Sequence, residues 1–499
     1  MAISLALSQT EFIVDLFLLL AGSLFAGELA SRLGQPALVG QLLVGVLLGP
    51  TILGQYLGLS TLPPEFSSLQ FLATVFILFL AGLETAPEEI LRMGALTALL
   101  GIAIFVIPFT GLFLVITLLL PGVSILKALF IALTLSITAL PVMGIMLAQF
   151  GLLHKPIGKF LMNAALINEL TAVTVFAVLL ELFLGKGTGY TAVGLALVDL
   201  FVFLGVMVGI YLGIRLLQRT PIWGEVRDRF ARDWRSKGVG FALLMVLLVG
   251  ASLFSQFLGL TFVVGAFYAG LLVTRDTAGA SAHRSISTVF DTISWGFFIP
   301  LFFAFVGLQM NLRLVGTPDL ILVFGVLLVV AVVLKVLVGD LAGRLRGWGA
   351  ADARAIGFLV SSRGAVELAM ALILLQDGVF DVQLFTIVAG VGLLTTMIAP
   401  IGALRAWQST LESRTELLQR VPSLQGVRGR AWIRTPALAF GDVRDFHSDP
   451  SASTSGRTPP ATRSTPDSGE GTVKSDPLAL PDNPARPPLP AVKRKPPAD

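Results

Sequence analysis

No cysteine occurs in the 499 residues, so disulfide frameworks, thiolate metal sites and thiol nucleophiles are all excluded. Histidine is almost as scarce. The three His, at 154, 283 and 447, lie far apart and outside the apolar runs, which argues against a zinc or di-metal centre. Charge is the third shortage. Asp, Glu, Lys and Arg make up 13% of the chain, against about 25% in ordinary soluble domains. A chain so poor in charge cannot cover a globular surface with polar side chains. Nowhere does a glycine-rich turn join a strand to a helix, so no fused nucleotide-binding domain, cofactor or nucleic-acid partner is expected. The first apolar stretch lacks a basic lead-in and a small-residue cleavage site, and reads as a retained span.

What is abundant is apolar sequence. Hydrophobic residues make up 55% of the chain, and mean hydropathy is +0.86. The expectation is an all-α membrane protein. A span needs roughly 20 apolar residues to cross a core of about 30 Å. Thirteen segments qualify: 12–31, 37–56, 68–84, 93–119, 124–150, 158–184, 191–217, 239–258, 260–275, 288–310, 318–346, 355–377 and 383–408. An odd number puts the termini on opposite sides. With the N-terminus outside, sixteen Lys and Arg between Arg32 and Arg354 fall in inner loops, against Lys127, Lys186 and Arg313 outside. That asymmetry follows the positive-inside rule and puts the C-terminal tail in the cytoplasm. Residues 409–448 form a juxtamembrane segment with a candidate interfacial helix from Leu411 to Leu418. Residues 449–499 hold 12 of the 27 prolines, with many Ser, Thr and Arg, and read as a disordered basic tail.

Ionisable groups deep in an apolar span are costly and mark function or pairing. Four stand out: Glu169, Lys335, Arg363 and Glu367. Glu169 and Lys335 each lie 11 residues from the cytoplasmic ends of their spans, at Gly158 and Arg346. At about 1.5 Å per residue, both are about 16–17 Å deep, near the midplane. They are expected to pair, as a functional couple or as a structural lock between helices. Arg363 is expected to neutralise carbonyls, and Glu367, four residues on, to pair with it.

Two spans carry breakers beside these groups. The fifth reads Ser136-Ile137-Thr138-Ala139-Leu140-Pro141 and the twelfth Ser361-Ser362-Arg363-Gly364. Proline removes a helical hydrogen bond and glycine tolerates unusual dihedrals. Membrane helices break where freed backbone groups line a cavity or an ion site. Spans 5 and 12 run in opposite directions, as an inverted repeat of spans 4–6 and 11–13 requires. The glycines from Gly40 to Gly49 suit close helix packing rather than a phosphate loop.

In order and spacing these segments resemble the monovalent cation:proton antiporter superfamily, in its Kef/CHX-like branch, across about residues 12–408. The resemblance rests on Gly45-Val46-Leu47-Leu48-Gly49-Pro50, Gly82-Leu83-Glu84, Thr138-Ala139-Leu140-Pro141 and Asn168-Glu169. Pro300 to Gly307, Lys335, and Arg363-Gly364 with Glu367 complete the set. It implies a homodimer, crossed broken helices 5 and 12, and a cation/proton site formed by Glu169, Asn168 and Thr138. Lys335, Arg363, Glu367 and Pro141 support that site. It also implies exchange of Na+ or K+ for H+ by alternating access, electroneutral where the first residue of the pair is neutral. Family members usually carry Asp where this chain has Glu169. A transport-incompetent sensor or scaffold, and a channel-like cation pathway, are the competing readings.

Overall fold

The computed structural model describes residues 2–54, 64–84, 94–184, 190–217, 220, 237–273 and 288–420. Among the described residues every regular element is a helix. We number the α-helices in chain order: α1 (Ala2–Arg32), α2 (Ala37–Leu48), α3 (Pro64–Glu84), α4 (Ala95–Leu119), α5 (Ile125–Thr134), α6 (Leu140–Gln149), α7 (Pro156–Leu184) and α8 (Tyr190–Leu217). There follow α9 (Lys237–Phe257), α10 (Phe262–Leu272), α11 (Ile299–Gln309), α12 (Pro318–Leu345), α13 (Ala350–Leu359), α14 (Ala365–Gln376) and α15 (Val382–Arg420). A π-helical turn, Ser294–Phe298, leads into α11 and makes 288–309 one continuous apolar helix. Among the described residues eight helices are long and apolar enough to cross a membrane, and six more are apolar but shorter. Each of the thirteen segments expected from hydropathy overlaps at least one of these helices.

The short helices have local causes. Expected over 37–56, α2 stops at Leu48 because Gly49 turns extended (φ −79°, ψ −173°) ahead of Pro50. Span 5 is two ten-residue half-helices, α5 and α6, separated by residues 135–139. Span 12 divides the same way into α13 and α14 around residues 360–364. Pro141 lies in the first turn of α6, where a missing N–H costs nothing. The break therefore precedes the proline rather than being a kink at it. Pro108 in α4 and Pro400 in α15 sit inside helices that continue past them. No Gly or Pro lies between Trp407 and Arg420, and the expected helix at Leu411–Leu418 is the continuation of α15. The tail at 449–499 lies outside the described residues.

Two groups of helices organise the fold. In one, α1 packs on α2, α2 on α11, α3 on α10, and α9 on α10. Glycine makes the closest of these crossings. A Cβ added at Gly45 would overlap the Ala304 carbonyl, one at Gly307 the Leu42 carbonyl, one at Gly82 the Phe267 carbonyl and one at Gly270 the Phe79 carbonyl. Gly40 abuts the Ala26 carbonyl of α1 in the same manner, so the Gly40–Gly49 run is a packing surface. The second group joins α4 to α5, α7 and α12, and α12 to α13 and α15. It contains both broken spans. Contacts of α3 with α6 and α14, and of α7 with α10, link the groups. The outer faces of α1, α8 and α12 expose large apolar side chains such as Phe25, Phe201 and Leu322, as lipid-facing helices do.

Candidate functional site

The two breaks meet. The Ala139 amide donates to the Ser362 carbonyl at 3.3 Å, and a Cβ at Gly364 would stand 2.6 Å from Ala139 Cβ. Gly364 has φ −166°, an extended value open to any residue, so this glycine is needed for space and not for its dihedral. Four half-helix ends converge here. The carbonyl ends of α5 and α13 carry partial negative charge, and the amide ends of α6 and α14 partial positive charge.

Each of the four deep charges sits at the matching end. Arg363, 1% exposed, sends Nη1 to the Thr134 carbonyl at 3.1 Å and to the Ile137 carbonyl at 3.5 Å. Its Nη2 donates to the Leu135 carbonyl. Arg363 thus caps the C-terminus of α5, reaching across from the other broken span. It also pairs with Glu367 in the first turn of α14, Nη1 to Oε1 at 3.5 Å. The expected neutralising role and the expected pair are both present. The guanidinium thereby engages three carbonyls of the span-5 break.

Lys335 departs from expectation. It is fully buried, but makes no ion pair with Glu169. Its Nζ donates to Thr138 Oγ1 at 2.7 Å, and Thr138 Oγ1 donates to the Val360 carbonyl at 2.7 Å. The ammonium therefore reaches the carbonyl end of α13 through one hydroxyl. Matching depth on two helices does not fix the direction in which each side chain points, and Lys335 points toward the break.

Asn168 and Glu169 are both fully buried on α7. Asn168 spans the first break: Oδ1 accepts from the Thr138 amide at 2.8 Å, and Nδ2 donates to the Ser136 carbonyl at 3.4 Å. Its amide holds residues 136–138 out of helical geometry. Glu169 Oε2 accepts from the Leu140 amide at 3.2 Å, the N-terminus of α6. An acidic group is favoured there by the helix dipole and by the unpaired amide. The other oxygen, Glu169 Oε1, is buried and has no hydrogen-bond partner. The carboxyl group thus faces away from lipid, and one of its two oxygens is left over as an acceptor.

One residue of this network gave no sequence signal. Thr396 Oγ1 on α15 accepts from the Arg363 amide at 3.1 Å and lies 2.9 Å from the Gly392 carbonyl. It ties the second break to α15. A lone threonine in an apolar helix more often bonds its own preceding turn, as Thr134 does, so only the fold identifies it.

The family model for the sodium/hydrogen exchanger transmembrane region matches residues 16–405. The Na(+)/H(+)-K(+) antiporter GerN of Bacillus cereus is 26% identical over 392 residues, covering 79% of this chain and 95% of its own. A Na(+)/H(+) antiporter of Enterococcus hirae is 27% identical over 399 residues, covering 78% and 97%. Cation/H(+) antiporter 20 of Arabidopsis thaliana is 29% identical over 402 residues, 77% of this chain but 47% of its own length. Among solved structures, the sodium proton antiporter MjNhaP1 from Methanocaldococcus jannaschii superposes with a TM-score of 0.58 at 17% identity. That match covers 80% of this chain and 99% of the other. At that identity the match establishes the fold.

Proposed function

Because the chain belongs to the transmembrane sodium/hydrogen exchanger family, we propose that it exchanges Na+ or K+ for H+ across its membrane by secondary active transport. The observation that carries this reading is the Glu169 carboxyl group. It is fully buried at the crossing of two broken helices, with Oε2 held by the Leu140 amide and Oε1 without a donor. A carboxylate out of water cannot stay bare without large cost. It must carry a proton or a small cation on that remaining oxygen.

Competition for one carboxyl group couples the two fluxes. Whichever ion it holds, the loaded site has the same net charge. Lys335, Arg363 and Glu367 keep their partners in either case, so one cation exchanges for one proton and the cycle is electroneutral. Alternating access comes from movement of the α4–α7 and α12–α15 group, which contains the site, against the α1–α3 and α9–α11 group. The breaks keep their shape because Asn168, Arg363 and the Lys335–Thr138 pair satisfy their backbone groups independently of the transported ion. In this reading the chain crosses the membrane thirteen times with the N-terminus outside and works as a homodimer. Residues 409–448 form a cytoplasmic juxtamembrane segment ahead of the tail.

The test is dissipation of an imposed pH gradient in proteoliposomes, with Na+, K+ and Li+ compared side by side. Cation-dependent proton movement that is unaffected by membrane voltage is expected. Flux driven by voltage without proton movement would replace exchange with a channel.

A further inference from the structure

One end of the site-bearing helix group carries a cluster of aromatic and basic side chains that the exchange mechanism leaves unused. It is built from the link between α6 and α7, the link between α12 and α13, and α15 near Trp407. Arg346 holds its Cζ 5.7 Å from the Phe160 ring centre and 5.8 Å from that of Trp348, while the two rings meet edge-on at 5.1 Å. Close by, the Trp407 indole N–H donates to Asp352 Oδ1 at 3.0 Å and its ring meets Phe150 at 5.4 Å. Indole rings fixed at a helix-bundle end are the side chains that settle at the headgroup level of a bilayer.

The charge here is one-sided. Segments 150–160, 340–354 and 400–408 contain six Lys and Arg against two Asp. One of the arginines, Arg344, is neutralised by Asp340 at 2.6 Å, and the other carboxylate, Asp352, is engaged by Trp407. Among the described residues, the exposed Lys159, Arg346, Arg354 and Arg405 have no carboxylate partner. Arg346 is the best organised of them. Two aromatic rings fix its guanidinium, and its N–H donors have no protein acceptor among the described residues. At the opposite end of the same helices, segments 120–127, 311–319 and 376–383 hold two basic residues against three Asp.

We propose that this end of the protein binds the phosphate of anionic phospholipid headgroups, with the Arg346 guanidinium as the binding centre. A planar guanidinium held at fixed orientation matches phosphate oxygens two at a time. Lys159, Arg354 and Arg405 supply the surrounding field, and the half-buried Trp348 and Trp407 sit where acyl chains begin. The chain's own C-terminal segment is the poorer occupant. Residues 409–499 carry 13 Lys and Arg against 10 Asp and Glu, so a basic surface would repel rather than hold it. The inference rests on the membrane location of the chain and not on which ion it exchanges.

The experiment is native mass spectrometry of the full-length protein in detergent, titrated with phosphatidylglycerol or with phosphatidylcholine of the same acyl chains. Phosphatidylglycerol should bind more tightly than phosphatidylcholine. A cation near an anionic surface contributes enough to make Arg346→Gln about fivefold weaker and Arg346→Gln with Arg354→Gln about 25-fold weaker. Arg346→Lys, which keeps the charge but not the fork, should retain only part of the binding. Lys127→Gln with Arg313→Gln, at the other end, should leave it unchanged. Equal binding of the two lipids by the wild-type protein would overturn the proposal. So would a double Arg variant that melts like wild type and still binds phosphatidylglycerol as tightly.

Discussion

Thr138→Val removes a single hydroxyl while keeping the shape of the side chain, and it strands two groups. Thr138 Oγ1 is the acceptor for the buried Lys335 ammonium and the donor to the Val360 carbonyl, both at 2.7 Å. An unsatisfied buried carbonyl costs about 1–3 kcal/mol, and a lost bond to a charged group about 1.5–3 kcal/mol. The sum is a destabilisation of about 2.5–6 kcal/mol if neither group finds another partner. Lys335 has a long, flexible stem, so relaxation toward another oxygen brings the value to the lower end. Unfolding in mixed detergent micelles reads this difference directly, and cation-dependent proton movement in proteoliposomes reads its effect on transport. Thr138→Ser, which restores the hydroxyl, should recover most of both. A valine variant within about 0.5 kcal/mol of wild type, with transport intact, would refute the claim that this hydroxyl carries the Lys335 charge to the end of α13.

Other changes probe separate parts of the same architecture. Arg363→Gln strands the carbonyls of Thr134, Leu135 and Ile137 and leaves Glu367 without its cation. A loss of about 3–5 kcal/mol is expected, as for other buried pairs broken from one side, and should appear as a lower melting temperature. Arg363→Lys should recover only part of it, since one ammonium cannot reach every carbonyl that the guanidinium fork holds. Gly82→Ala drives a methyl group into the Phe267 carbonyl at the crossing of α3 and α10. A cost of about 1–3 kcal/mol is expected from overpacking, measurable in the same micelle titration, while the cation preference stays as in wild type.

The sequence made the depth of each charge legible but not its direction. Hydropathy located every helix-bearing segment, and helical rise put Glu169 and Lys335 at one level. Rise says nothing about rotation about the helix axis, which is why Lys335 was matched to Glu169 and is found on Thr138. Pro141 and Gly364 flagged the two breaks correctly, though for other reasons than supposed: one occupies a helix start and the other a close contact. Pro108 and Pro400 show why proline alone is a poor guide, since both sit within unbroken helices. Arg363 was expected to neutralise carbonyls. That these lie at the end of α5 and in the break after it, more than 220 residues earlier, is a tertiary fact without a local signature. Thr396 was invisible for the same reason.

Cation-dependent proton movement by Glu169→Gln protein, reconstituted beside wild type, tests the central claim most directly. Glutamine can still accept from the Leu140 amide, so the fold should persist with melting close to wild type. It cannot take up or release a proton, and exchange should fall to the level of empty liposomes. Exchange at the wild-type rate in that variant would contradict the assignment of the shared ion site to this carboxyl group.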